Sequence, residues 1–115
     1  MNWISNKNIL NINNKEIKFK YDIGIVKECD NNIIVMLEYK KELPKEEFKN
    51  NVYAISEDGN ILWKMENPKD KNIKIDPLIN FIVKDNSIMV VDYCSNKLYI
   101  NKKNGLIISR ESGIW

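Results

Sequence analysis

Polar and apolar residues alternate one by one along residues 16–23, with Ile17, Phe19, Tyr21 and Ile23 on one side and Glu16, Lys18, Lys20 and Asp22 on the other. Successive side chains of a strand point to opposite faces, so this pattern predicts a half-buried strand. Residues 32–39 (NIIVMLEY) and 87–94 (SIMVVDYC) are apolar on both sides and predict interior strands covered twice over. Short turn-forming groups separate the runs: residues 30–32, 57–60, 84–87, 94–97 and 102–105. Asp, Asn and Gly tolerate the positive backbone angles of tight hairpins, so the chain reads as nine or ten antiparallel strands joined by hairpins. One interruption stands at LPKEEFKN, where Pro44 near a first helical position and Glu46 and Glu47 in the first turn predict a helical stretch of a turn or two.

The hairpins repeat. Residues 30–37 (DNNIIVML) align with 85–92 (DNSIMVVD), and 52–62 (VYAISEDGNIL) with 98–108 (LYINKKNGLII). The second alignment puts Tyr53 and Gly59 in step with Tyr99 and Gly105. A strand before each motif (IGIVKEC and INFIVKD) completes two copies, residues 23–66 and 79–110, with a Pro- and charge-rich connection at 67–77. The expected architecture is all-β: two duplicated four-stranded antiparallel meanders, blade-like and packed as a sandwich or partial propeller, plus an N-terminal strand or hairpin. One domain spans residues 1–115, a length that supports a single core. Stacking two copies covers only one face of each sheet. The outer faces therefore need residues 9–21, sheet curvature, a second copy or a partner to cover them.

Net charge is +2 with both signs interleaved, and Arg110 is the lone arginine. A nucleic-acid reader concentrates basic residues and relies on bidentate arginines, so no nucleic-acid partner is expected. The opening MNWISNKNILNINN lacks the pattern of a signal peptide, and no apolar run reaches the roughly 20 residues of a membrane span. No membrane association and a cytoplasmic location are expected. In that compartment Cys29 and Cys94 read as reduced, partly buried thiols.

The sequence contains no histidine. That removes the commonest catalytic base, the Ser/His and Cys/His nucleophile systems, and most zinc and iron sites. Asp30 and Asp85 read as turn formers, and Asp92, late in an apolar strand, reads as the point where that strand emerges. Gly59 and Gly105 stand alone between strands, and Gly24 marks a bulge, so no phosphate loop is present. Trp63, Tyr53, Tyr99 and Phe81 fall at packing positions, and Trp3 and Trp115 are expected to pack at the chain ends. No catalytic, cofactor-binding or metal-binding residue emerges, and no cofactor is expected. The copies differ most at YKKELPKEEFKN, and insertions in repeats are where function tends to sit. Glu42, Glu46, Glu47 and Phe48 are therefore the candidate partner-binding residues. Phe48 reads either as an interface anchor or as a ring folded onto the sheet.

The segment VYAISEDGNILW, residues 52–63, resembles the repeat of quinoprotein-type β-propellers, whose blades end in a strand closing with a tryptophan. The second copy departs from it, with Ser109 in place of Trp63. The resemblance implies blade geometry and no cofactor, because the quinone site of that family needs a complete ring. In size and texture the chain is also similar to the small immunity proteins of bacterial polymorphic toxin systems. The expected function is a non-enzymatic protein-binding module, an immunity protein neutralising a bacterial toxin. The alternative is a structural homo-oligomer that closes a propeller-like ring.

Overall fold

The apolar runs form eleven strands in the computed structural model, which describes residues 2–111. Strands β1 (Trp3–Asn6), β2 (Ile9–Ile12) and β3 (Lys15–Lys18) make an N-terminal sheet. Strands β4 (Ile23–Cys29), β5 (Asn32–Leu37), β6 (Val52–Ser56) and β7 (Ile61–Lys64) make a middle sheet. Strands β8 (Leu78–Val83), β9 (Ser87–Asp92), β10 (Lys97–Asn101) and β11 (Ile107–Glu111) make a C-terminal sheet. All pairings are antiparallel between sequence neighbours, none of the sheets closes into a barrel, and the fold is all-β. The two four-stranded meanders stand where the repeat places them, with β5 and β9 in interior positions.

Three expectations need correction. The N-terminal region is a three-stranded meander, not a single strand or hairpin, which raises the strand count to eleven. The alternating segment 16–23 is not one strand: β3 ends at Lys18, the chain bends through residues 19–22, and β4 starts at Ile23. Alternation recorded burial correctly, since Ile17, Phe19, Tyr21 and Ile23 all join one apolar cluster, but the chain has to change sheets at this point. Backbone bonds from Phe19 to Asn8 (2.8 Å) and from Ile23 to Lys7 (2.7 Å) fix the crossing.

The third correction concerns the repeat register. Ile33 pairs with Ile55 in the middle sheet and Ile88 with Ile100 in the C-terminal one, so Ala54 corresponds to Tyr99 and Tyr53 to Leu98. The two tyrosines therefore face opposite ways. The ring of Tyr53 packs on Phe19 of the N-terminal layer, with centroids 5.2 Å apart, whereas Tyr99 points outward. The last hairpin loop is one residue longer in the second copy, closing Asn101 onto Leu106 where the first closes Ser56 onto Asn60. That extra residue restores the match at Gly59 and Gly105, both with positive φ (81° and 73°), and at Trp63 and Ser109.

The layers stack with the middle sheet between the other two. Ile33, Val35, Leu37 and Ile55 meet Leu10, Ile12 and Phe19 of the N-terminal layer, while Ile34, Met36, Ala54 and Trp63 meet Ile88, Val90, Leu98 and Ile100. Residues 9–21 thus cover the outer face of the first meander. A common device joins the layers. Trp63 lies over Gly105, where a Cβ would come within 2.5 Å of the indole Cε3, and its Nε1–H donates to the Lys102 carbonyl at 3.0 Å. Lys15 lays its aliphatic stem over Gly59 in the same manner, 2.6 Å from a Cβ there. Trp3 is partly buried against the first core, as packing predicts, and Trp115 lies outside the described residues.

Candidate partner-binding surface

The insertion between β5 and β6 forms a single 3-10 turn, Lys45–Phe48, entered through Pro44. Phe48 is fully buried, with its ring against Tyr21 (4.9 Å) and Tyr39 (5.4 Å). This corrects its candidacy as a contact residue: the ring fills the first core and is not available at the surface. Glu47 accepts hydrogen bonds from Lys20 Nζ and the Tyr21 hydroxyl, both 2.8 Å, and Glu46 pairs with Lys49 at 2.8 Å. Lys40 pairs with Asp22 at 3.0 Å, and Glu42 is exposed. Glu47 and Lys40 therefore tie the insertion to the bend between β3 and β4, while the Glu46–Lys49 pair lies within it.

The hydrogen bond from Lys20, with that from Tyr21, holds the Glu47 carboxyl below the ordinary glutamate range, while Glu47 raises Lys20. A depressed acid contributes fully above its unfolded value and loses that contribution as pH falls through the folded one. For a raised lysine the contribution is full below the ordinary value and is lost as pH rises through the raised one. Glu47 is expected to titrate below a normal glutamate in a carboxyl NMR titration and to move back up in Lys20→Gln. An unchanged Glu47 in that variant would mean that Lys20 does not pin the insertion.

Beside the insertion lies a cleft of about 370 Å³ lined by Tyr39, Lys41, Lys45, Asp76, Pro77 and Tyr93. Its far wall is set by Asp92, which is 1% exposed. The carboxylate accepts from the backbone N–H of Asp76, Cys94 and Asn96, each at 2.8 Å, and from Asn96 Nδ2 at 2.9 Å. The strand therefore does not emerge at Asp92; the charge is buried and hydrogen-bonded on both oxygens. A sequence reading sees only an acid at a strand end, because three of these four partners lie in the following turn and the fourth on a separate loop.

The second exposed feature is the outward face of the C-terminal sheet. Ile82, Met89 and Tyr99 form a row across β8, β9 and β10, with Val91 on the same side. By register Met89, Val91, Tyr99 and Ser109 occupy the places of Ile34, Met36, Ala54 and Trp63, the middle-sheet residues buried against the next layer. Three of those four places stay apolar: Met89 is itself 6% exposed, and Val91 and Tyr99 are half-buried. Ile82 is 44% exposed and Ile108, at the β11 bulge, 57%.

A family model described as a domain of unknown function, DUF7957, matches residues 1–112. The chain belongs to the DUF7957 family. A search of curated proteins finds no significant match. In this DUF7957 domain the groups that bear on chemistry have structural partners. Burial pushes the Cys29 thiol up, and a hydrogen bond to Asp76 does the same for Cys94, so both stay protonated at neutral pH and are weak nucleophiles. Both cysteines are free, Cys29 buried and Cys94 exposed. Asp30 takes a positive φ (49°) in its hairpin turn, as a turn former does, and its carboxylate lies 3.7 Å from Lys102 Nζ. Among the described residues no helix is long and apolar enough to cross a membrane.

Proposed function

We propose that this domain is a non-enzymatic protein-binding module, an immunity protein that neutralises a bacterial toxin in the cytoplasm by covering its working surface. The outward face of β8–β11 carries the reading: it keeps apolar residues where the middle sheet buries its own, with Ile82 and Ile108 exposed, and among the described residues no second sheet packs on it. An apolar strip with Asn80, Ser87, Lys97 and Glu111 on neighbouring positions has the composition of an interface centre with a polar rim. Sequence chemistry supports the same reading, since no histidine is present and Asp92 is fully engaged in hydrogen bonds.

The ring-closing alternative would seat the N-terminal sheet of a second copy on this face. That sheet turns Ile4, Ile9, Asn6, Asn11, Glu16 and Lys18 outward, a largely polar set, and its last turn, Asn13–Asn14, offers no glycine to receive a docking side chain. With Ser109 in the place of Trp63 and Asn13–Asn14 in the place of the glycine turn, this seam would not repeat the Trp63–Gly105 device, and the partner reading is the better supported.

Co-expression with the product of the adjacent gene tests it. The expected result is a stable complex and protection of cells from that product. Ile82→Glu with Ile108→Glu is expected to weaken the complex at least 30-fold while leaving the melting temperature within a few degrees. A lone species that protects against no neighbouring toxin would reject the proposal, as would full protection by the double variant.

A further inference from the structure

The cleft between the insertion and the β7–β8 connection has walls held in place by the core beneath it. Tyr39 leaves the end of β5 and is braced edge-on by buried Phe48 at 5.4 Å. On the opposite wall the Tyr93 N–H donates to the Pro77 carbonyl at 2.9 Å, and the Asp76 N–H donates to Asp92. Both walls are therefore fixed from below by fully or almost fully buried side chains. Tyr93 is 69% exposed, so its ring is free to contact a bound chain.

The charges around it are uneven. Lys20, Lys40 and Lys49 each meet a carboxylate at 2.8–3.0 Å, but neither Lys41 nor Lys45 has an acid within ion-pair distance among the described residues. One acid, Asp76, also lines the cleft, on the wall with Pro77 and Tyr93 and not on the insertion that carries the two lysines. Two ammonium groups without acidic partners beside two tyrosine rings offer a carboxylate both charge and flat apolar walls for the chain that carries it. The volume of about 370 Å³ suits a few residues of extended peptide.

We propose that this cleft binds a carboxylate-bearing extended segment of a partner protein, with Lys41 and Lys45 holding the carboxylate and Tyr39 and Tyr93 flanking the peptide. Only the origin of that segment rests on the protein-binding reading above; the cleft shares no residue with the outward face of β8–β11.

The test is an NMR titration of the 15N-labelled chain with three pentapeptides: one blocked at both ends and carrying two glutamates, its glutamine counterpart, and that counterpart with a free C-terminal carboxylate. Saturable shifts of the Tyr39, Lys41 and Tyr93 amides are expected with the first or third peptide, and none with the second. Whichever of the two binds identifies the source as a side chain or a chain terminus. Lys41→Gln with Lys45→Gln is expected to weaken binding about tenfold, the loss from two partly exposed charge contacts, while Lys18→Gln leaves it unchanged. The inference is overturned by equal binding of the blocked glutamine peptide, by an unaffected double variant, by absence of shifts at millimolar peptide, or by inorganic phosphate binding as tightly as the peptides. Peptide binding by a chain that captures no toxin would reject the function above and leave the cleft intact, and the reverse outcome would reject only the cleft.

Discussion

Trp63→Ala is expected to lower the unfolding free energy by about 3–5 kcal/mol, the usual loss for a buried large aromatic ring. The indole is 8% exposed, sits between the middle and C-terminal sheets, and donates to the Lys102 carbonyl. Gly105→Ala should cost about 2–4 kcal/mol, from strain at φ 73° and from collision of the new Cβ with the ring. The two effects share one contact and should not add. With the ring removed only the backbone strain remains, so Gly105→Ala in the Trp63→Ala background is expected to cost about 1–2 kcal/mol. Gly59→Ala makes the contrast, since there the neighbour is an exposed lysine stem that can swing away. Urea denaturation of the four-member cycle checks this. Equal costs of Gly105→Ala in both backgrounds would mean that the glycine is not there to seat the indole.

Asp92→Ala should destabilise by about 3–4 kcal/mol, and Asp92→Asn by about 2. Alanine leaves four donors around a buried site without their acceptor. Asparagine retains one oxygen but turns an NH2 group toward N–H donors on the other side. A domain of this size holds about 5–15 kcal/mol in total, so the alanine variant should melt more than 10 °C lower. A shift under about 2 °C would show that the turn stands without the carboxylate. The same variant frees the Asp76 backbone, so the Pro77 and Tyr93 wall of the cleft should lose amide-exchange protection before the strands do.

Much of this fold is written in local pattern. Alternation, turn residues and the interior character of residues 32–37 and 87–92 locate β5, β9 and most hairpins, because each depends on neighbours within a few positions. What eluded the pattern depends on distant partners. The break at Phe19 comes from a change of sheet, and the apolar face at Ile17–Ile23 reads the same whether carried by one strand or two. The tyrosine alignment slipped because one extra loop residue moves Tyr99 to the opposite face without altering the motif. The candidate site was half legible. The insertion between β5 and β6 does form one wall of the cleft, yet Phe48 lies beneath it rather than on it, and Lys41, Lys45 and Tyr93 carry no signal until the connection at Asp76 and Pro77 folds beside them.

Strand β5 supplies both cores at once, with all five residues from Ile33 to Leu37 buried. A slip of one position would exchange one apolar set for another, so hydrophobicity alone cannot choose its phase. Polar details make the choice: the two-residue turn at Asp30–Asn31, with φ of 49° and 67°, and the Asn51 Nδ2 that donates to the Leu37 carbonyl at 2.7 Å. In this strand greasy residues supply adhesion, and asparagine and aspartate tell it where to stop sliding.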